Sequence, residues 1–189
     1  MILIFDDFMK NELFLERMRE DRDYIFRDPG VYKWWDGWWA SEPKNILQYL
    51  IHHAWVTDCR IKESFVISGI EYWTGIQSTD EKWNDHLVMH TDKDEKLWRD
   101  TGKVVGPLIG SIYYPPDQDF DGGNLEIFSD GIDSEPEVIK PKGNRLVIFP
   151  AGEYFHRVTT VTRGTRYAIA FNLWSGTPTG VESGDLVVE

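Results

Sequence analysis

A single cysteine, Cys59, among 189 residues leaves nothing to cross-link, which excludes a disulfide scaffold and favours a reducing compartment. No apolar run is long enough to cross a bilayer, and the short stretch Met1 to Phe5 meets acid at Asp6 and Asp7 without the basic start of a secretory signal. Residence in the cytoplasm is the expectation, with no membrane partner. Positive charge is scarce: Lys and Arg number 20 against 32 for Asp and Glu, a formal charge of −12. Such a surface repels phosphate backbones and anionic lipid, which argues against a nucleic acid partner. Internal repeats and low-complexity blocks are missing too. What remains, at 41% hydrophobic and 28% charged residues, is the composition of one folded domain over residues 1–189.

The first sixty residues read as helical support (1–60). Met1 to Phe5 suits a short strand, and the stretch from Asp7 to Arg22 carries Phe8, Leu13, Phe14, Leu15 and Met18 as the apolar positions of a helix. Trp34-Trp35-Asp36-Gly37-Trp38-Trp39 follows, between breakers at Asp28-Pro29-Gly30 and Ser41-Glu42-Pro43. Aromatic side chains bury the most area per residue, so this cluster reads better as packing between helices and core than as sugar or peptide capture. A second helix is predicted from Pro43 to Trp55, with Ser41 as its cap. After Cys59 the period changes to two, in short runs bounded by Gly, Pro, Asn and Asp. Strands are predicted at 64–73, 87–90, 108–114, 124–128, 137–139, 145–149, 156–161 and 165–173. Residues 64–174 thus form a barrel or sandwich core, and 175–189 a tail that is loosely held or pairs as an edge strand.

Chemistry-bearing residues concentrate in the β region. His90 and Asp92 stand two apart, which places both side chains on one face of an extended segment. His156 heads a later β segment. Two imidazoles with one carboxylate fill one face of an iron site and leave positions for a cosubstrate and oxygen. Arg166 follows ten positions after His156, across an expected hairpin that turns at Arg163-Gly164. On its strand Arg166, Ala168, Ala170 and Asn172 share one face, and Tyr167, Ile169, Phe171 and Leu173 the other. A guanidinium pointing inward needs an anion, and the alanines leave room for a dicarboxylate.

These residues stand in a string of motifs: His90-Thr91-Asp92, Ile112-Tyr113-Tyr114, Gly122 through Phe128, Pro141 through Pro150, His156-Arg157-Val158 and Gly164-Thr165-Arg166-Tyr167-Ala168. In order and content the string resembles the Fe(II)/2-oxoglutarate dioxygenases, and among them the prolyl 4-hydroxylase-like group. The resemblance implies a mainly β double-stranded β-helix braced by N-terminal α-helices. It implies Fe(II) bound by His90, Asp92 and His156, and the distal carboxylate of 2-oxoglutarate bound by Arg166. Many relatives carry lysine there, and arginine suits a bidentate carboxylate contact at least as well. Tyr114 is the favoured hydroxyl partner of the same carboxylate, with Tyr113 in competition, and Tyr72 matches an earlier tyrosine of the family. The resemblance further implies O2 as co-reactant, ascorbate as an accessory, and decarboxylation of 2-oxoglutarate to succinate and CO2. The expected outcome is hydroxylation of a C–H bond in a peptide, protein or small-molecule substrate, with a peptidyl prolyl residue preferred.

Two rivals compete with this reading. A non-catalytic metal- or sugar-binding β-helix module would leave the inward Arg166 without a purpose. A zinc hydrolase would pair His86 with His90, four apart on a helix, yet the Glu that an HExxH pattern needs does not follow His86. His52 and His53 fall in the predicted helix and read as structural. Asp117, Asp119, Asp121, Asp130, Asp133 and Glu135 have some calcium-like spacing but read better as solvated loop charge. Gly122-Gly123 reads as a turn into a strand, because no helix follows to make a phosphate site. Cys59 shows no partner for nucleophilic catalysis.

Overall fold

Along the residues described by a computed structural model, 1–36, 41–58, 67–83 and 87–183, the chain alternates short strands with four α-helices. The order is β1 (Leu3–Phe5), α1 (Glu12–Glu20), α2 (Arg22–Ile25), β2 (Lys33–Asp36), α3 (Ile46–His52) running into a π-helical turn (His53–Asp58), β3 (Gly69–Ser78), a short 3-10 turn (Glu81–Trp83) and α4 (Glu95–Thr101). There follow β4 (Ile109–Tyr114), β5 (Phe120–Gly122), β6 (Leu125–Phe128), β7 (Glu137–Ile139), β8 (Arg145–Phe149), β9 (Phe155–Val158), β10 (Val161–Trp174) and β11 (Glu182–Ser183). A major sheet runs β1-β8-β4-β10-β3-β2-β11, with β5 added against β10, and a minor sheet runs β7-β6-β9.

The centre of the major sheet is buried on both sides, and its sequence is built for that. In β8, Leu146 and Ile148 pack with the helical layer while Val147 and Phe149 pack toward the minor sheet, so an unbroken apolar run serves two cores. The helical core gathers Phe14 and Met18 of α1, Leu47, Leu50 and Ile51 of α3, and Ile169, Phe171 and Leu173 of β10. The core between the sheets is smaller and combines Leu125, Ile127, Ile139 and Val158 with Tyr114, Phe149 and Ala168. The space between the sheets is where the inward faces of β3, β4 and β10 meet the chain around His90 and His156.

Several predicted elements differ from those observed. The long N-terminal helix starts only at Glu12, capped by Asn11, and breaks at Asp21 into α1 and α2. The second helix starts at Ile46 and not Pro43, because Asn45 Oδ1 accepts the Gln48 amide at 2.9 Å, whereas Ser41 accepts from Trp35 Nε1 at 3.1 Å. Lys33–Asp36 is a strand paired with β3, as its aromatic residues favour. Trp35 is buried in the helical core; Trp38 and Trp39 lie outside the described residues. Helix α4 escaped the apolar pattern because it buries no residue. Its signals are local: the Asp94 cap accepting from Leu97, and Gly102 in the left-handed region. The segment 87–90 forms a single bridge at His90 and no strand. The tail is tied down as far as it is described, to residue 183: Thr179 donates its amide and hydroxyl to Asp94 at 2.6 and 2.7 Å, and Glu182–Ser183 pairs with β2 as an edge strand.

The expected hairpin between His156 and Arg166 is also corrected. β9 pairs with β6 in the minor sheet, while β10 belongs to the major sheet. The chain turns at Thr159-Thr160, and Arg163 and Gly164 lie within β10, opposite β5, where the register shifts. Arg166 therefore approaches His156 across the gap between two sheets.

Asn144 ties the N-terminal segment to this framework. Its side chain accepts from the Met9 amide and the Tyr113 hydroxyl at 2.9 Å each and donates to the Met9 carbonyl at 3.0 Å, from a positive φ of 59°. Asn144→Ala strands these groups and places a Cβ residue less suited to that φ. A loss of about 2–3 kcal/mol in urea unfolding is expected.

Candidate active site

His90 is placed by two backbone hydrogen bonds with His156: His90 N donates to His156 O at 3.0 Å and His156 N to His90 O at 2.8 Å. Asp92 N donates to Ala151 O at 2.8 Å, which carries the extended course two residues further. His90 Nε2 and His156 Nε2 stand 3.3 and 3.4 Å from the same oxygen, Asp92 Oδ1. An octahedral ion with bonds of about 2.1 Å at right angles holds its donors about 3 Å apart, so these two spacings, with all three donors within 4.8 Å of one another, suit one face of such a site. The imidazoles are set for it as well. His90 Nδ1 lies 2.7 Å from the Val88 carbonyl and His156 Nδ1 2.9 Å from that of Tyr154. A carbonyl only accepts, so each Nδ1 carries the proton and each Nε2 lone pair faces the shared point. Burial opposes ionisation of Asp92, but in the metal-free protein the neighbouring His156 and His90, each donating from Nε2 when its ring takes up a second proton, outweigh it and hold the carboxyl well below its usual range; a bound ion takes the place of those protons. Among the described residues no other group of three His, Cys, Asp or Glu could hold an ion. Asp119 and Asp121 are bridged by Arg163, and His86 lies outside the described residues.

The triad opens on a cavity of about 330 Å³ whose far end is Arg166. Arg166 is 3% exposed. Its Nη1 donates to Gln77 Oε1 at 2.8 Å and its Nη2 reaches the Tyr114 hydroxyl at 3.4 Å, while its buried Nε has no hydrogen-bond partner among the described residues. A guanidinium in this state suits an anion. Ala168 and Ala170 line the cavity between Arg166 and Asn172. Gly123 is required beside it: a Cβ there would fall 2.7 Å from Arg166 Cδ. The donor set therefore fits a carboxylate at one end and a divalent ion at the other.

Tyr114 and Tyr113 part company in β4. Tyr114 faces Arg166, whereas Tyr113 packs in the helical core and bonds Asn144. Tyr72 is not brought to the site. It points from β3 into the helical core, meets Gln48 at 3.4 Å, and lines a separate cleft of about 580 Å³ among α1, α2 and α3. The period of two dictates this, since Tyr72 has opposite parity to Gln77. His53 packs edge-on against Phe8 in the helical layer.

Residues 75–174 match the family described as the 2OG-Fe(II) oxygenase superfamily. The chain belongs to that superfamily. Its activity is accordingly that of an oxygenase, with Fe(II), 2-oxoglutarate and O2 as the reacting set, which displaces the non-catalytic and zinc-hydrolase alternatives. Among solved structures it is similar to a Pseudomonas putida prolyl-4-hydroxylase, at 18% identity over 93% of this chain and 88% of that one, with a TM-score of 0.62. It is also similar to a Trichoplax adhaerens prolyl hydroxylase in complex with a hypoxia inducible factor oxygen degradation domain peptide fragment, at 13% identity over 92% and 83%, TM-score 0.58. Both likenesses are of fold: the double-stranded β-helix of this oxygenase, braced by helices on one face of its major sheet. No helix among the described residues is long and apolar enough to cross a membrane.

Three site features escaped sequence reasoning. Gln77 contacts Arg166 because it is the cross-strand partner of that residue, a pairing that nothing local in β3 announces. Tyr32 and Trp73, with ring centroids 4.9 Å apart, line the cavity mouth. Glu71 is buried with its carboxylate on Trp174 Nε1 at 3.0 Å. Burial pushes Glu71 up to about 7, against the lowering effect of the Trp174 bond. In the metal-free protein the folded state thus keeps a proton that the unfolded chain releases from about pH 4.5 upward, so stability falls as pH rises toward 7. Glu71→Gln removes this slope. Urea unfolding with chelator at pH 5 and pH 7.5 is expected to show wild type losing about 2–3 kcal/mol relative to the variant.

Proposed function

We propose that His90 Nε2, Asp92 Oδ1 and His156 Nε2 hold Fe(II), that Arg166 with Tyr114 holds the distal carboxylate of 2-oxoglutarate, and that the enzyme hydroxylates a peptidyl prolyl residue. The observation that carries the reading is the convergence of three ligand atoms at one end of a cavity whose other end is a buried guanidinium with its Nε unpartnered among the described residues. When bound, the iron with 2-oxoglutarate and O2 supplies the oxidising power to insert one oxygen atom into a C–H bond, the oxoacid leaving as succinate and CO2. The residues of this chain bind, orient and exclude water. Arg166 neutralises the far carboxylate, and Gln77 fixes the plane of its guanidinium. Leu125, Phe149 and Val158 wall the cavity with apolar surface. Asp92 serves as a ligand and Arg166 as an anchor, so neither moves a proton.

The preference for a peptidyl proline is supported by two things. One relative of the same fold is a prolyl hydroxylase with a peptide bound. Tyr32, Trp73 and Trp83 line the cavity, and aromatic-lined grooves suit the apolar, pre-organised proline ring.

His156→Ala is expected to abolish succinate formation from 2-oxoglutarate. Arg166→Ala is expected to retain Fe(II) binding but to raise the 2-oxoglutarate concentration for half-maximal turnover ten- to a hundredfold, the loss of about 1.5–3 kcal/mol of charge-assisted hydrogen bonding. For substrate, mass spectrometry of a peptide library incubated with Fe(II), 2-oxoglutarate and enzyme is expected to show the gain of one oxygen atom on proline. A gain confined to other residues would remove the prolyl preference and keep the oxygenase.

A further inference from the structure

Asp92 has two oxygens and only one is turned to the histidines. Oδ2 accepts a hydrogen bond from Asn172 Nδ2 at 2.9 Å. Asn172 is 2% exposed and sits in the middle of the major sheet, with Glu71 of β3 as its register partner on one side and Gly110 of β4 on the other. Its amide is oriented by both neighbours. Glu71 stands beside Asn172 as its cross-strand partner, and its own orientation is held by Trp174 Nε1, which donates to its carboxyl at 3.0 Å. On the opposite side, Gly110 leaves the space for the amide oxygen, since a Cβ there would stand 2.9 Å from Asn172 Oδ1. A flipped amide would turn its oxygen on the Asp92 carboxylate. One stable arrangement results, with the NH2 group on Asp92 Oδ2 and the amide oxygen toward Gly110.

We propose that Asn172 is a positioning residue that keeps Asp92 a one-oxygen ligand, and that the buried Glu71 is retained to keep the Asn172 amide in that orientation. The inference rests on the reading of the triad as the metal site. A carboxylate free to turn can chelate an ion through both oxygens and so take up a second coordination position. The facial arrangement has only three positions to give to cosubstrate and oxygen, so a second carboxylate oxygen removes one of them. Tying Oδ2 to Asn172 prevents this. It also explains why an acid sits at position 71 in the floor of the sheet, where burial disfavours its charge.

The test uses Co(II) in place of Fe(II), because its visible absorption weakens as coordination number rises and so reports the ligand set without turnover. Wild type, Asn172→Ala, Asn172→Asp, Glu71→Gln and Asp92→Ala are titrated with Co(II), their folding being checked by melting of the metal-free proteins. Both Asn172 variants are expected to bind ten- to a hundredfold more weakly than wild type, with a weaker absorption per bound ion, and Glu71→Gln several-fold more weakly with a change of the same sign. Where removal of the Asn172 side chain prevents folding, Glu71→Gln preserves shape and carries the test. Wild-type affinity and spectrum in folded Asn172 variants, or in Glu71→Gln when it alone folds, would overturn the inference. Equal Co(II) binding by wild type and Asp92→Ala would instead overturn the metal reading of the triad, and the positioning role with it.

Discussion

The reciprocal pair of backbone hydrogen bonds between His90 and His156 is the constraint on which the rest depends. The two residues lie far apart in the chain and belong to different kinds of structure, one in an irregular segment and one in β9. Facing each other across an antiparallel bridge, they bring their rings to a centroid distance of 4.3 Å, as close as cross-strand neighbours come. Asp92 follows from the same bridge. Two residues along an extended chain is the same face, and the Ala151 carbonyl keeps that chain extended through position 92. The ligand geometry is thus a backbone property, and the side chains need only the correct tautomer, which the Val88 and Tyr154 carbonyls impose.

Around this bridge the protein collects charges that would be unfavourable without one another. Arg166, Asp92 and Glu71 all lie in or beside the space between the sheets. Asp92 is stabilised by its imidazoles, Glu71 accepts from Trp174 and stands beside Asn172 across the strands, and Arg166 has neutral partners in Gln77 and Tyr114. Buried ionic groups seldom add stability over apolar ones, and removing their partners is destabilising. Their concentration at one cavity, with a surrounding shell of Leu125, Phe149 and Val158, marks a place where stability is traded for a prepared site.

Much of this was legible in the sequence, and the limits are instructive. The alternation along 165–173 assigns Arg166, Ala168, Ala170 and Asn172 to the cavity side and Tyr167, Ile169, Phe171 and Leu173 to the other, and the structure has both. The same alternation carries Tyr114 to the cavity and Tyr113 away. Boundaries written in short polar residues were missed, as at Asn45 and Asp94, because a cap is a competition among neighbouring donors and not a periodic signal. The hairpin through Arg163-Gly164 failed for another reason. A Gly after Arg looks like a turn, but a register shift against β5 absorbs it inside a continuous strand, and the change of sheet occurs at Thr159-Thr160. Gln77 and Glu71 act through strand pairing, which depends on residues nearly a hundred positions away. Tyr72 was assigned by likeness alone, and its parity within β3 sends it to the helices.

Strand β10 also explains why the two ends of the site keep their separation. From Arg166 to Asn172 is six residues, about 20 Å of extended chain at about 3.3 Å per residue. That span is longer than a small dicarboxylate, so the long arginine arm reaches inward from one end, and Asn172 with Asp92 reaches inward from the other. Between them Ala168 and Ala170 offer no side chain beyond Cβ, which keeps the floor clear. The opposite face of the same strand buries Ile169, Phe171 and Leu173 against the helices, and β3 and β4 hold its two edges. A strand fixed on both edges and one face cannot shift its register without moving every one of these residues to the wrong side. The helical layer therefore acts on the site without touching it, because what it stabilises is the spacing between Arg166 and the His90, Asp92 and His156 triad.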